Sequence, residues 1–152
     1  MSDDRWITPE MRAQIGVETA PYSLDIERGD LIRFARSSGE TNPIYVDEVA
    51  ARATRYGGLI ASPTFLITMR ILQGELLTLV NPLPNSVDGG TAWSYHEPVR
   101  PGDRITARAR LVDLYEKDGR LGRMLFQVVE IRYENQFGQL VVTQRDTYIR
   151  YP

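Results

Sequence analysis

The chain has 152 residues, 42% hydrophobic and 25% charged, with one histidine (His96) and no cysteine. This length predicts a single domain with its own core. Without cysteine there is no disulfide framework, thiolate metal site or cysteine nucleophile, and a lone imidazole excludes a histidine-rich zinc site. The 18 basic and 20 acidic residues give a net charge of −2, which disfavours nucleic-acid binding. We expect neither a metal nor a cofactor.

No segment of the sequence has the pattern of a targeting or membrane-spanning segment. Residues 1–4 are acidic where a signal peptide would be basic. The most apolar stretch, residues 65–80, is interrupted by Arg70 and Glu75 and is shorter than the ~20 apolar residues that a span requires. A soluble cytoplasmic protein is therefore the expectation.

The beginning of the chain predicts short helices and one strand. Residues 1–21 are a lead-in segment with one helical turn after Pro9, and residues 22–26 alternate as in a short strand. Asp30 is predicted to cap the next helix, and Gly39 to end it in the left-handed conformation.

Two further helices are predicted before the middle of the chain. A short one begins at Asp47. A long one begins at Ser62, with a capping hydroxyl followed by Pro63 at the first helical position. Large apolar residues occupy almost every face of residues 63–80, so this long helix is expected to be surrounded by protein.

The second half of the chain alternates with a period of two, which predicts strands. Turn-forming residues at 117–119 and 135–138 suit antiparallel hairpins. One strand is apolar on both faces around Phe126 and Val128, as a strand covered on both sides would be. The predicted strands are residues 89–99, 104–115, 123–133 and 140–151. These elements predict an α+β domain with one long buried helix wrapped by a curved antiparallel sheet.

Four motifs together identify a family. They are Phe34-Ala35-(x)3-Gly39-Glu40-Thr41-Asn42-Pro43-Ile44-Tyr45-Val46-Asp47, Tyr56-Gly57-Gly58, Ser62-Pro63-Thr64-Phe65 and Pro98-Val99-Arg100-Pro101-Gly102-Asp103. In this combination, from about residue 22 to about residue 150, the sequence resembles the MaoC-like hydratase/dehydratase family, and most of all its N-terminal-type members. The resemblance implies the hot-dog fold and a dimer or tandem of two hot-dog units.

The resemblance also implies chemistry on acyl thioesters of coenzyme A or of an acyl carrier protein. Water adds reversibly to a 2-enoyl thioester and gives a (3R)-hydroxyacyl thioester. Catalytic members hold and activate this water with an Asp and a His in the loop Gly-Asp-x-Asn-Pro-x-His. A glycine N–H at the start of the buried helix stabilises the thioester enolate.

This sequence departs from that pattern at three positions. Glu40 replaces the Asp, with a side chain one methylene longer, and Tyr45 replaces the His, although a phenol of pKa about 10 is a poor base. Pro63 aligns with the glycine and has no N–H to donate. The three changes favour a non-catalytic subunit whose partner, a second hot-dog unit, carries the Asp/His loop.

The non-catalytic subunit would shape an acyl tunnel. Replacing the glycine by Pro63, with Thr64, Ile67 and Ile71 on the following helix, would open room for a long or bulky acyl group. Asn42 is a further candidate substrate contact in the loop. A sheet-edge dimer would use the two-sided apolar strand predicted above.

Other interpretations stay open. Glu40, Tyr45 and Asn42 can simply hold a turn by hydrogen bonds, and His96 can be a partly buried or interface residue. The chain can also be an autonomous homodimeric hydratase or thioesterase that uses Glu40 and Tyr45, or a thioester-binding module without chemistry.

Overall fold

The computed structural model describes residues 4–69 and 83–152. In these ranges the α-helices are α1 (Pro9–Ala13), α2 (Arg28–Ser37) and α3 (Glu48–Arg52), and short 3-10 helices span Pro43–Tyr45 and Phe65–Met69. The strands are β1 (Tyr22–Asp25), β2 (Asn85–Tyr95), β3 (Arg104–Gly119), β4 (Gly122–Glu134) and β5 (Leu140–Tyr151).

The five strands form one antiparallel sheet in the order β1-β3-β4-β5-β2. One face of the sheet carries the core, because alternate residues of β3 and β4 are buried. On β3 four alternate residues are buried: Ile105, Ala107, Ala109 and Leu111. Against this face pack the 3-10 segment of residues 65–69 and helix α2.

The sheet order corrects one prediction. The apolar strand around Phe126 and Val128 is β4, which is hydrogen-bonded to β3 on one side and to β5 on the other. A strand with both edges paired has no backbone groups left for a second sheet. The sheet-edge dimer through Phe126 and Val128 is therefore wrong, and the free edges of the sheet are β1 and β2.

Helix ends were predicted with mixed success. Gly39 has a φ of 77° after α2, and the Asp47 side chain accepts hydrogen bonds from Val49 N–H and Ala50 N–H at the start of α3. Both predictions are confirmed. Asp30 is not a cap, because α2 begins earlier, at Arg28, and the Asp30 N–H bonds to the Glu27 carbonyl inside the first turn.

The predicted long helix of residues 63–80 is described only as far as Met69. That part is a 3-10 segment beginning at Phe65, and the Ser62 hydroxyl does not cap it. Its Phe65, Leu66 and Met69 are buried. Residues 70–80 lie outside the described ranges. Within those ranges, no helix is long and apolar enough to cross a bilayer.

Strand boundaries differ from the prediction by four residues at each end of β2 and at the end of β3, and by one residue at the end of β1 and at both ends of β4. β2 begins at Asn85 rather than Gly89, because residues 85–88 pair with the end of β5 across a bulge. It ends at Tyr95, since the next two N–H groups both bond to the Val141 carbonyl. β3 continues through the predicted turn to Gly119, so the β3–β4 turn is residues 120–121. Strand β5 has the predicted boundaries.

Residues 5–7 of the lead-in segment are bound to the sheet by one carboxylate, and residues 16–19 are bound by hydrogen bonds to β3. The Glu116 side chain, 1% exposed, accepts hydrogen bonds from the N–H groups of Arg5, Trp6 and Ile7 at 2.6–3.1 Å. It also pairs with Arg123 at 2.6 Å. The helical turn predicted after Pro9 is α1.

Candidate functional site

A cavity of about 440 Å³ lies between the loop before α3, the residues after α3 and the end of β2. Its polar lining residues are Tyr45, Arg55, Tyr56, Ser62, Tyr95, His96 and Glu97. Its apolar lining residues are Ile60, Ala61, Pro63, Leu66, Pro98, Val99 and Val142. Tyr45 and Pro63, which the sequence places 18 residues apart, therefore meet in one cavity.

The loop that carries Tyr45 is fixed by local hydrogen bonds. The Asn42 side chain accepts from the Ile44 N–H at 3.1 Å and so caps the 3-10 turn of residues 43–45. Proline at the next position suits the first residue of such a turn. The Glu40 N–H bonds to the Ala35 carbonyl at 2.9 Å, which joins the loop to the end of α2. Asn42 and Pro43 thus set the direction of the Tyr45 side chain.

Three tyrosines come together at the cavity. Burial raises the pKa of Tyr45, and the nearby Glu40 carboxylate and Tyr56 phenol raise it further. Burial and then the Tyr45 phenol raise the pKa of Tyr95 in the same way. Both phenols are therefore protonated at neutral pH. They can donate hydrogen bonds but cannot act as general bases there.

The segment of residues 61–63 forms one wall of the cavity and is held at both ends. The Ala61 N–H bonds to the Val99 carbonyl at 2.8 Å, and the Tyr95 hydroxyl donates to the Pro63 carbonyl at 2.8 Å. Ser62, between them, is 4% exposed, and its hydroxyl has no hydrogen-bond partner among the described residues. An unpaired buried hydroxyl is unusual, since leaving one costs about 1–3 kcal/mol.

The other predicted site residues are placed differently. Glu40 is half-buried and acts on Tyr45 through its charge rather than by lining the cavity. Thr64 is exposed and Ile67 is 37% exposed, and neither lines the cavity. Asn42 is exposed at the loop surface. Ile71 lies outside the described residues.

Several cavity residues were not predicted as a site. His96 follows β2, is exposed, and lies 3.3 Å from the Thr143 hydroxyl through its Nε2. It was expected to be partly buried or at an interface. Arg55 is exposed, with its guanidinium over the Tyr56 ring and donating to the Tyr56 hydroxyl at 2.7 Å. No local sequence pattern places His96 at this cavity.

A larger depression of about 660 Å³ lies beside the turn of residues 100–103. It contains none of the predicted site residues. Two of its carboxylates are paired, Asp25 with Arg104 and Glu48 with Arg52. It is open and shallow, and the smaller cavity around Tyr45 is the better candidate.

The sheet order and the motif residues that meet at this cavity define a hot-dog protein of the hydratase/dehydratase class. The family model described as "FAS1-like, dehydratase domain region" matches residues 13–144. The chain belongs to this MaoC-like family.

Relatives and solved structures agree with this assignment. The chain is 35% identical over 126 residues to a UPF0336 protein of Streptomyces griseus, covering 78% of this chain and 79% of that one. It is 29% identical over 137 residues to a probable enoyl-CoA hydratase alpha subunit of Thermomonospora curvata, covering 78% of this chain but 42% of the relative.

A solved structure gives the fold. The (3R)-hydroxyacyl-ACP dehydratase complex HadBC of Mycobacterium tuberculosis is 25% identical and superposes with a TM-score of 0.77, covering 90% of this chain and 96% of that one. The superposition confirms the hot-dog fold predicted from the motifs, and within it the curled antiparallel sheet. Among the described residues, the one α-helix longer than five residues is α2.

Proposed function

We propose that this chain is the non-catalytic, tunnel-forming subunit of a (3R)-hydroxyacyl-thioester dehydratase or (R)-specific enoyl-thioester hydratase. The observation that carries the proposal is that Tyr45 and Pro63 line one cavity. The Tyr45 phenol is protonated at neutral pH and cannot take a proton from water. Pro63 has no N–H to stabilise an oxyanion. The Asp/His dyad would come from a second hot-dog subunit.

Two of the similar proteins support this reaction class. One is a probable enoyl-CoA hydratase alpha subunit, and one is a dehydratase complex that acts on hydroxyacyl-ACP. By analogy with these relatives, we propose that the substrate is a thioester of coenzyme A or of an acyl carrier protein. We treat residues 1–152 as one hot-dog unit with residues 1–21 as its lead-in.

The acyl tunnel is proposed along Pro63, Thr64, Ile67 and Ile71. Pro63 lines the cavity, and the exposed Thr64 and Ile67 continue from it along the chain. A partner that covers these two residues would extend the cavity into a tunnel. Asn42 would contact the substrate through its amide nitrogen, because its oxygen already accepts from Ile44.

The partner is proposed to bind at β2. This strand is a free edge of the sheet, and of its eleven residues all but Trp93 are exposed. Unpaired backbone N–H and C=O groups on an exposed edge can pair with another strand. The bulge at residues 89–90 breaks the edge into two pairing segments.

Co-expression tests the proposal. The chain is purified alone and together with a hot-dog protein that is encoded beside it and carries the intact Gly-Asp-x-Asn-Pro-x-His loop. Hydration of an enoyl-CoA is then measured. We expect no turnover by the chain alone and turnover by the complex. Glu40→Gln and Tyr45→Phe should change the rate of the complex by no more than about 2-fold, because neither residue transfers a proton.

The matched control changes the partner. Asp→Asn in the partner's loop should abolish turnover of the same complex. Hydration by the purified chain alone, at rates typical of the family, would contradict the proposal.

An autonomous homodimeric hydratase or thioesterase is the second candidate, and one observation favours it. His96 and Glu97 line the same cavity as Tyr45, so an imidazole and a carboxylate are present there. In that case the chain alone should turn over a thioester, and Glu40→Gln or His96→Gln should abolish the reaction. A binding module without chemistry would instead show a higher melting temperature with acyl-CoA and no turnover with any partner.

A further inference from the structure

The wall of the cavity at residues 61–63 contains a buried side-chain hydroxyl, that of Ser62. Ser62 lines the cavity, is 4% exposed, and its Oγ has no hydrogen-bond partner within residues 4–69 and 83–152. Buried hydroxyls are almost always paired in folded proteins. Its neighbours in the wall are paired, because Ala61 donates to Val99 and the Pro63 carbonyl accepts from Tyr95. The backbone of the wall is thus fixed while the side chain between is unpaired.

We propose that Ser62 is the hydrogen-bond donor for the thioester carbonyl of an acyl group bound in this cavity. The inference rests on the proposed acyl-thioester function and adds the residue that recognises the reacting group. A serine hydroxyl donates one hydrogen bond, and a carbonyl oxygen lacks any hydrogen to offer in return. The hydroxyl and the carbonyl are therefore complementary as donor and acceptor.

The rest of the lining suits such an occupant. Half of the lining residues are apolar, among them Ile60, Leu66 and Val142, and these would surround an acyl chain. The protonated phenols of Tyr45 and Tyr95 add no charge. A volume of about 440 Å³ is within the usual range of small-molecule sites.

The entrance carries a cation. Arg55 is exposed at the cavity, and its guanidinium is held over the Tyr56 ring. A guanidinium pairs well with phosphate oxygens. Coenzyme A and phosphopantetheine both carry phosphate at the end away from the thioester, so Ser62 and Arg55 would receive opposite ends of the substrate.

The test compares two probes that differ in the carbonyl. Butyryl-CoA is a saturated thioester that cannot be hydrated, and butyl-CoA is the thioether with a methylene in place of the carbonyl. Binding of each to the purified chain is measured by calorimetry. The wild type should prefer the thioester by about 3- to 10-fold, the net value of one hydrogen bond. Ser62→Ala should lose that preference while still binding the thioether.

Two further measurements exclude a non-specific or structural effect of the substitution. Ser37→Ala, at an exposed serine of α2, is the matched control and should keep the wild-type preference. Ser62→Ala should leave the melting temperature of the free chain unchanged or raise it, because it removes an unpaired buried polar group. A serine with a structural role would lower it.

The outcomes separate the inference from the proposed function. If the wild type binds thioester and thioether equally, or binds neither, the role of Ser62 is overturned, while turnover by the co-expressed complex would still support the function. If Ser62→Ala weakens association with the partner subunit and leaves the thioester preference intact, Ser62 serves the interface and the inference is again overturned. If the complex shows no turnover and no binding of either probe, the proposed function fails.

Discussion

Replacing Glu116 by glutamine is the sharpest test of how the lead-in segment is held. The Glu116 carboxylate, 1% exposed, accepts three backbone N–H bonds and pairs with Arg123. Glutamine keeps one acceptor oxygen but turns an NH2 group toward either the Arg123 guanidinium or the backbone donors. The remaining bonds become neutral and about half as strong.

The magnitude follows from these contacts. Removing one partner of a buried ion pair costs about 3–5 kcal/mol, and the cost is at the lower end here because Arg123 is 25% exposed and can be hydrated. We expect Glu116→Gln to lower the free energy of unfolding by about 3 kcal/mol. For a chain of this size that lowers the melting temperature by roughly 6–12 °C.

The effect should depend on pH. Hydrogen bonds from Trp6, Arg5, Arg123 and Ile7 outweigh burial and lower the pKa of Glu116 below its ordinary value of 4.5. A lowered pKa stabilises the fold above 4.5, and this contribution is lost as the pH falls through the folded-state pKa. The difference between wild type and Glu116→Gln should therefore be largest near neutrality and disappear in acid.

Urea unfolding of both proteins across pH is the assay, with Glu18→Gln as the control. Glu18 is also an acidic residue of the lead-in segment but is exposed, so its replacement should change the stability by no more than about 0.5 kcal/mol. The reasoning is refuted if Glu116→Gln and Glu18→Gln have equal stabilities at neutral pH, or if their difference persists in acid.

Three further changes have definite expected results. Asp47→Ala should cost about 1 kcal/mol in urea unfolding, because the side chain caps two N–H groups at the start of α3. Gly39→Ala should cost about 1–2 kcal/mol in the same assay, since Gly39 has a φ of 77°, whereas Gly29→Ala, inside α2, should not show this left-handed penalty. Tyr133→Phe should cost about 1–2 kcal/mol, because the buried Tyr133 hydroxyl donates to Gln144 at 2.7 Å. In an alkaline absorbance titration Tyr133 should ionise at a higher pH than an exposed tyrosine, since burial and the Asp146 charge raise its pKa.

Elements whose signal is local were predictable from the sequence. Gly39, Asp47 and Pro9 each act within one turn of their own helix, so their roles follow from residue type and spacing alone. The start of β5 followed from the turn-forming residues at 135–138. The prediction for Asp30 is wrong because α2 begins at Arg28, with Glu27 as an N-cap residue that makes no side-chain cap hydrogen bond.

Part of the candidate site was predictable from the sequence. The loop motif pointed to Tyr45 and Pro63, and both line the cavity. Ser62 was read as a helix cap, because Ser-Pro has that local meaning. Its burial without a partner depends on residues far along the chain that fix its neighbours, such as Val99 and Tyr95.

The periodicity of the sequence determined an α+β domain, and the motifs, through their resemblance to a family, determined a hot-dog unit whose dyad positions hold Glu40 and Tyr45. Only the tertiary structure decided which strand is central and which is free. The sequence pattern suggested β4 for a sheet-edge contact, yet β4 is central and β2 lies at an edge, because pairing joins residues far apart in the chain and alternation does not encode a strand's neighbours. The same long-range pairing brings His96 and Ser62 to one cavity, and no local pattern records that meeting.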